Sequence, residues 1–303
     1  MKLLILGGTG FVSGMLAEQA VREGREVWTV TRGLRSRRTD VHALTADRHS
    51  VPELKAALAG LRFDAAVDCI CRSAEDALTD LEVLPAVTDR VVVISTDSVY
   101  HPAYKKVPQN EDGIYLTGDG YGADKRRMEE AFLTAETTVR WTVFRPGHIF
   151  GEGSLAGCFP EETRSRAIPG RIRAGEPMRL VGDGSYLLQP VYVRDLNDAI
   201  LDCIPRPAAE NRIFCIGGPD VVTNRRYYEL LAELLGCPVH FESVPEEGYL
   251  AAHPEYSGHL CHRVYDLSAL REAGIRVPQT SLRTGLRRQL QALGELPETE
   301  VPG

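Results

Sequence analysis

The chain opens with the stretch that decides its fold, Lys2-Leu3-Leu4-Ile5-Leu6-Gly7-Gly8-Thr9-Gly10-Phe11-Val12-Ser13. A short apolar run leads directly into glycines, and apolar residues at helical spacing then continue from Phe11 to Ala20. A strand-sized run, a glycine turn and a helical period in this order predict a strand–turn–helix unit at the start of the chain.

Glycine suits the turn of this unit because one residue must adopt a positive φ and another must let an anion approach the backbone. The N-terminus of the following helix adds unpaired amides and a positive dipole. Ser13 stands where such turns usually have a third glycine, and it is small enough to keep helix–strand packing. We therefore predict a turn that binds the pyrophosphate of a dinucleotide, with contacts from Gly7, Gly10, Phe11 and Val12.

The rest of the first half alternates strand-like and helix-like segments, which implies right-handed crossovers and a parallel sheet with helices on both faces. The predicted strands are 2–6, 26–31, 42–45, 64–70, 90–95 and 140–145, and the predicted helices are 11–23, 51–59, 74–84 and 121–135. This pattern predicts an α/β fold, a Rossmann-type doubly wound parallel sheet with a smaller C-terminal substrate-binding lobe. Residues 1–150 form the predicted dinucleotide-binding domain. Residues 151–303 form mainly the lobe, with segments at about 187–218 returning to the sheet.

The composition limits the classes of partner. A formal net charge of −7 argues against a broad nucleic-acid surface. No apolar run is long enough to cross a bilayer, and the seven scattered cysteines are typical of reduced thiols, so we expect a cytoplasmic protein. His253, His259, Cys261 and His262 lie close in sequence, but their spacing matches no common zinc pattern, and no metal site is predicted.

The end of the second predicted strand should recognise the ribose of the adenosine. A carboxylate there would suit NAD, but this chain has Thr31-Arg32-Gly33, followed by Arg35, Arg37 and Arg38. Arginine suits the 2′-phosphate of NADP through charge-assisted hydrogen bonds, so NADP is slightly favoured over NAD. These arginines could equally be solvated loop charges. Asp47 and Arg48, after the third predicted strand, are candidates for flanking the adenine.

Tyr121 and Lys125 lie one turn apart at the start of a predicted helix, so both side chains share one face. A neighbouring ammonium favours a phenolate, and we expect Lys125 to lower the pKa of Tyr121 for acid–base chemistry. Thr96 follows the most apolar predicted strand and could donate a hydrogen bond to a substrate oxygen that changes between alcohol and carbonyl.

These motifs, in this order, resemble the extended short-chain dehydrogenase/reductases, a group that includes nucleotide-sugar epimerases and dehydratases. The resemblance continues through 145–151, 182–185, 191–196 and 265–268, and so covers nearly the whole chain. It implies that Tyr121 is the general acid/base, Lys125 its partner and a ligand of the nicotinamide ribose, and Thr96 the third catalytic group. It also implies cofactor contacts from Cys69, Pro146 and His148, and a homodimer formed by the helix after Thr96 and the helix at 121–135.

Two departures from the family pattern bear on the substrate. Dehydratases have a glutamate after Ser-Thr-Asp, whereas this chain has Ser98, so dehydration is disfavoured, although Asp97 could still act as an acid. Leu188 falls about where related enzymes place an arginine that clamps the sugar-nucleotide diphosphate, and leucine cannot replace it. The residues predicted to contact substrate are Asp97, Ser98, Arg179, Tyr186 and Gln189.

The leading hypothesis is an NAD(P)-dependent enzyme that transfers hydride at a secondary alcohol or ketone of a sugar-like small molecule, either free or nucleotide-activated. It would act either as an epimerase or as a reductase. The pattern also resembles the atypical branch of the extended group, which includes chloroplast stem-loop RNA-binding proteins. The alternative is therefore a dinucleotide-binding regulator or RNA-associated protein on the same fold, although nucleic-acid binding is disfavoured by the acidic charge.

Overall fold

The computed structural model describes residues 1–35 and 38–298. The helices and strands are, in chain order, β1 (Lys2–Leu6), α1 (Phe11–Arg22), β2 (Glu26–Thr31), β3 (His42–Thr45), α2 (Val51–Leu58), β4 (Ala65–Asp68), α3 (Ala74–Val83), β5 (Arg90–Ile94), α4 (Tyr121–Thr134), β6 (Arg140–Pro146), β7 (Ile149–Phe150), α5 (Ala167–Arg173), β8 (Met178–Val181), β9 (Leu187–Leu188), β10 (Val191–Tyr192), α6 (Val193–Cys203), β11 (Arg212–Ile216), β12 (Val222–Thr223), α7 (Asn224–Leu235), β13 (Phe241–Val244), α8 (Tyr249–Ala252), α9 (Ser268–Glu272) and α10 (Leu282–Ala292).

The main sheet has seven parallel strands in the order β11-β6-β5-β4-β1-β2-β3. β1 lies between β4 and β2, so the chain reverses its direction of winding beside the glycine turn. Ligands of open α/β sheets bind at such a switch point, at the carboxyl ends of the strands. The predicted α/β, doubly wound architecture is confirmed.

Both faces of this sheet are buried, which is why its strands are apolar at nearly every position. Successive side chains of β1 point to opposite faces. Leu3 and Ile5 join one core with α1 and α6, whereas Leu4 and Leu6 join a second core with α3 and α4.

The second half builds a smaller core on α5, α7 and α10. Three two-stranded sheets accompany it: β7 with β10, β8 with β13, and β9 with β12. Of the segments expected to return to the main sheet, β11 pairs with β6, while β9 and β10 belong to these smaller sheets. No helix among residues 1–35 and 38–298 is both long and apolar enough to cross a membrane.

Candidate active site

A cavity of about 770 Å³ lies at the carboxyl ends of β1, β2, β3 and β4, beside the switch point. Residues from the glycine turn, the end of β2 and the segments after β3 and β4 form its walls. They are Leu6, Gly7, Thr9, Gly10, Ser13, Val30, Thr31, Arg32, Leu34, Arg35, Ala46, Asp47, Arg48, His49, Ile70, Arg72, Ser73 and Asp76. A second cavity of about 780 Å³ continues along α1 past Phe11.

The glycine turn has the conformation that a bound pyrophosphate requires. Gly7 and Gly8 have φ of 107° and 113°, and a Cβ on Gly8 would lie 2.6 Å from the Cγ2 of Thr29. Ser13 fits because its Oγ accepts a hydrogen bond from the Gly10 amide at 3.2 Å. Gly7, Gly10 and Phe11 line the cavities, whereas the side chain of Val12 packs against the core. The turn and its cavity therefore fit a dinucleotide.

Thr31, Arg32 and Asp47, which were predicted to lie at the adenosine, line the same cavity. Arg32 is exposed, and Arg35 donates a hydrogen bond to the Thr9 carbonyl at 3.3 Å. Arg38 is instead paired with Asp40 and Glu18. Arg37 lies outside the described residues. Arg32 and Arg35 therefore bring positive charge to the cavity, and Arg72 adds a further cation to its walls.

Arg48 lines the cavity but does not have the free guanidinium that contact with the adenine would need. It is only 6% exposed and forms ion pairs with Asp68, Asp76 and Asp80. Burial, and after it the charge of Asp68, raises the pKa of Asp80 well above its usual value. The prediction that Arg48 flanks the adenine is therefore corrected: it stabilises the wall of the cavity.

The segment after β4 contributes wall residues that sequence reasoning missed, namely Ile70, Arg72, Ser73 and Asp76. Their position directly after β4 could have predicted this, since parallel strands place their carboxyl ends at one edge of the sheet. Cys69, which was predicted to contact the cofactor, is half-buried, packs against the core and donates its backbone N–H to Leu6 at 3.3 Å. Its neighbour Ile70 lines the cavity instead.

The three predicted catalytic side chains meet at the start of α4. Thr96 follows β5 and caps the short turn 97–99, where its Oγ1 accepts a hydrogen bond from the Ser98 amide at 3.2 Å. Tyr121 is the first residue of α4, is 56% exposed and lies close enough to Thr96 for that side chain to act on its pKa. Lys125 lies one turn further along the helix and is buried.

Lys125 does not lower the pKa of Tyr121 in this geometry, so that prediction is wrong. Its ammonium donates hydrogen bonds to the carbonyls of Cys71 and Ile94, both at 2.6 Å. Burial raises the pKa of Tyr121 above its usual value, and the hydrogen bond with Thr96 only partly offsets that effect. Burial likewise lowers the pKa of Lys125. The lysine is thus held by backbone oxygens beneath the tyrosine.

The position of α4 is fixed by a buried ion pair and a close backbone contact. Glu129, on the buried face of α4, accepts hydrogen bonds from Arg145 of β6 at 2.7 and 2.9 Å and from Ser95 at 2.6 Å. At Gly122, a Cβ would lie only 2.1 Å from the carbonyl oxygen of Ser98. These two contacts bring Tyr121 to the loop that carries Thr96.

Asp97 is fully engaged within the protein. Its carboxylate accepts hydrogen bonds from Arg263 at 2.7 and 2.8 Å, from Lys105 at 2.9 Å and from the hydroxyl of Tyr265 at 2.5 Å. Although burial opposes ionisation, Arg263 and Lys105 outweigh it and hold the pKa of Asp97 well below its usual range. The expectations that Asp97 contacts substrate or acts as an acid are therefore corrected.

The other predicted substrate contacts lie in different settings. Ser98 is half-buried beside the turn at Gly258, and would be 3.7 Å from a Cβ there. Gln189 is buried, with its amide satisfied by the Gly218 carbonyl and the Tyr265 N–H, so its predicted contact with substrate is corrected to a structural role. Arg179 is paired with Glu161 and Glu242, and Tyr186 contacts the ring of His262.

Pro146 ends β6 and is buried, and His148 follows it with a buried ring. The Nε2 of His148 has no hydrogen-bond partner in the described part of the chain. Sequence reasoning missed Lys105, which pairs with Asp97 from eight residues further along the chain, and Arg263, which pairs with it from 166 residues away. No local pattern could have found Arg263.

Comparisons with known proteins agree with this geometry. The sequence model of the NAD dependent epimerase/dehydratase family matches residues 3–217. The chain is 28% identical over 252 residues to the chloroplast stem-loop binding protein of 41 kDa b of Arabidopsis thaliana, covering 78% of this chain and 64% of that protein. It is 27% identical over 253 residues to the 2'-dehydrokanamycin reductase of Streptomyces kanamyceticus, covering 82% of this chain and 70% of that protein.

The crystal structure of UDP-glucose 4-epimerase from Thermotoga maritima with UDP-glucose has a TM-score of 0.81 and 20% identity. The match covers 97% of this chain and 99% of that chain, and at such low identity it shows the fold. The chain spans 64% of the length of the chloroplast relative. The range that the family model matches contains the glycine turn, Thr96, Tyr121 and Lys125. The chain belongs to the NAD dependent epimerase/dehydratase family.

Proposed function

We propose that the protein is an NAD(P)-dependent enzyme that transfers hydride at a secondary alcohol or ketone of a sugar-like substrate, as an epimerase or a reductase. One observation carries the proposal: Tyr121 and Lys125 lie one turn apart at the start of α4, and the packing of Gly122 against the Ser98 carbonyl brings Tyr121 to the loop that carries Thr96. The relative named as a 2'-dehydrokanamycin reductase supports a substrate of this chemical kind.

The residues divide the chemistry between them. A bound nicotinamide supplies or accepts the hydride. Tyr121 exchanges the proton of the substrate hydroxyl, because its side chain is more than half exposed beside Thr96. Thr96 donates a hydrogen bond to the same substrate oxygen as its charge develops. Lys125 lies one turn below Tyr121 and would hold the nicotinamide ribose. The ionised, fully paired Asp97 supplies no proton, which supports redox or epimerisation over dehydration.

Replacement of Tyr121 tests this proposal. Tyr121→Phe keeps the ring and removes the hydroxyl, so we expect turnover to fall about 10²- to 10⁴-fold while dinucleotide affinity changes little. Tyr104→Phe, at an exposed tyrosine, is the matched control. Activity would be followed by nicotinamide absorbance and by chromatography of epimers on keto sugars and nucleotide sugars. Unchanged turnover in Tyr121→Phe would contradict the proposal.

We propose NADP as the preferred cofactor, since Arg32 and Arg35 face the adenosine end of the cavity and β2 ends without a carboxylate. A 2′-phosphate would accept charge-assisted hydrogen bonds from Arg32. Arg32→Ala should weaken NADP binding about tenfold or more and leave NAD binding nearly unchanged. Arg62→Ala, at an exposed arginine elsewhere, is the control. Equal losses for both dinucleotides would count against NADP preference.

We also propose a homodimer formed by α3 and α4, which pack side by side and expose Leu78 and Leu133 at 59% and 47%. The partner of α4 is α3, which precedes Thr96, because only short turns at 97–99 and 102–104 follow it directly. Sedimentation of the Leu78→Glu variant should show a monomer if this interface is correct.

We assign substrate binding mainly to the second half of the chain. We also keep the cytoplasm as the proposed location of the protein, which the seven free cysteines support.

The second candidate is a dinucleotide-binding regulator or RNA-associated protein, and the similarity to the chloroplast stem-loop binding protein favours it. The net charge of −7 weighs against an RNA surface. This candidate requires Tyr121→Phe to leave the biological output intact. It also requires measurable binding of a stem-loop RNA whose affinity falls with salt.

A further inference from the structure

Arg72 carries an exposed cation on a fixed piece of backbone. It follows β4 and lines the cavity that the glycine turn also lines. Its backbone N–H donates a hydrogen bond to the Asp76 carboxylate at 2.7 Å, and Ser73 caps α3 by accepting the Asp76 N–H at 3.3 Å. Within residues 1–35 and 38–298, the guanidinium itself has neither a hydrogen bond nor an ion pair. The backbone is therefore held in place while the charge stays free.

The segment that carries Arg72 touches the helix that carries Tyr121. The carbonyl of Cys71, the preceding residue, accepts the hydrogen bond from the Lys125 ammonium at 2.6 Å. Lys125 and Tyr121 lie one turn apart on α4, where neighbouring Cβ atoms are about 5–6 Å apart. Arg72 therefore enters the cavity from backbone that is bonded to the first turns of α4.

The other charged groups on the elements around Tyr121 differ in whether they have partners in the described part of the chain. The groups whose charge is engaged are Lys125, Asp97, Asp124 and Arg127. The exposed groups without an ion pair are Glu75, Asp119 and Arg72. Of these three only Arg72 is a cation, so it is the one that can offset a negative charge on Tyr121.

The charge balance at Tyr121 includes this guanidinium. Burial raises the pKa of the Tyr121 phenol, and the charge of Asp97 raises it further. The charge of Arg72 acts in the opposite direction and lowers that pKa. Burial lowers the pKa of Lys125, and Arg72 contributes to this lowering, so the guanidinium lies near both side chains.

We propose that Arg72 is a positioning residue of the reaction, the cation that stabilises the phenolate of Tyr121 in the place of Lys125. This inference rests on the proposed function, since it concerns the tyrosine of the same site. It divides the work between two cations. Lys125 binds backbone carbonyls in the interior, whereas Arg72 brings its charge to Tyr121 from the wall of the cavity.

The test is a titration of Tyr121 in the full chain without added dinucleotide, so that the result does not depend on activity. Each protein is compared with its own Tyr121→Phe version, and the difference in ultraviolet absorbance reports the phenolate. Arg72→Gln, at an exposed side chain, should raise the pKa of Tyr121 by about 0.5 to 1 pH unit. Salt at about 1 M should shrink this difference, because it screens an exposed charge.

Two further variants separate Arg72 from the other cations. Arg32→Gln removes an exposed cation from the same cavity, at the end of β2, and should leave the titration unchanged. Lys125→Met removes the ammonium and should raise the pKa of Tyr121 less than Arg72→Gln does. The fraction of phenolate at one pH at which circular dichroism shows all variants folded suffices for the comparison.

An unchanged titration in Arg72→Gln, or a larger rise in Lys125→Met, would overturn the inference. An unchanged titration together with weaker NADP binding would also overturn it, by showing that Arg72 serves the cofactor alone. If the pKa of Tyr121 rises in Arg72→Gln while Tyr121→Phe keeps full turnover, the inference stands and the proposed function fails. If turnover requires Tyr121 but its pKa does not respond to Arg72, only the inference is lost.

Discussion

The carboxylate of Asp97 accepts two hydrogen bonds from the guanidinium of Arg263, although the residues lie 166 positions apart. The pair joins the loop after β5 to the segment that precedes α9. Because Asp97 directly follows Thr96, this pair also fixes the loop that holds the Thr96 hydroxyl near Tyr121. The site is therefore positioned by a buried ion pair between the two halves of the chain.

Removal of the negative charge should destabilise this junction. Asp97→Asn would leave Arg263 and Lys105 buried without a carboxylate, and we expect a loss of about 3–5 kcal/mol in the free energy of unfolding. Turnover should fall as well, because Thr96 loses its fixed position. Urea denaturation measures the first effect. Asp89→Asn, which breaks an exposed pair with Arg62, should cost less than about 1 kcal/mol, and an equally small loss for Asp97→Asn would contradict the prediction.

Gly122 should tolerate no side chain, since the Cβ of Gly122→Ala would meet the Ser98 carbonyl at 2.1 Å. Relief of that contact must move either α4 or the loop that carries Thr96. We expect a loss of about 2 kcal/mol or more in stability and a reduced kcat. Gly170→Ala provides the matched helical control, because open space surrounds its Cβ, and it should be neutral or stabilising by up to about 1 kcal/mol. Thermal unfolding and steady-state kinetics of both variants decide the matter.

The ionisation of Tyr121 should govern the pH dependence of the two reaction directions. Its pKa is raised because burial opposes the phenolate more than Thr96 stabilises it. Oxidation needs the phenolate, so its rate should rise with pH without a plateau below about pH 10, whereas reduction needs the phenol and should stay flat up to that point. Ultraviolet titration of the protein against Tyr121→Phe, without added dinucleotide, should give a pKa above about 10. A value near 7 would refute this expectation.

Asp80 should be replaceable where Asp68 is not. Burial, and then Asp68, raises the pKa of Asp80, so the folded state binds this proton more tightly than the unfolded chain does. Stability from this group is therefore full below about pH 4 and falls as the pH rises through the folded pKa. Asp80→Asn cannot ionise and should be as stable as the wild type, or more stable, from about pH 5 to about pH 8.

Asp68→Asn is the contrasting variant, because it removes the carboxylate that pairs with Arg48. It should destabilise the protein at neutral pH. Urea unfolding of the two variants across the same pH range compares them. A loss of several kcal/mol in Asp80→Asn alone would show that Asp80 is the ionised partner of Arg48.

The sequence by itself determined the sheet, the glycine turn and the shared helical face of Tyr121 and Lys125. Apolar periodicity, glycine at positive φ and the spacing of residues along one helix are local properties, and each is legible within a few residues. That is why the strands of the first half and the start of α4 lie where the pattern predicted them.

Only the tertiary structure decided which charges meet. It placed the guanidinium of Arg48 among three aspartates and bound the ammonium of Lys125 to backbone carbonyls. It also raised the pKa of Tyr121, whereas the sequence predicted a lowered pKa. It also joined Asp97 to Arg263 from the far end of the chain. The partner of a buried charge depends on which distant segments the sheet brings together and on how much water they exclude, and neither quantity is written in the residues beside it.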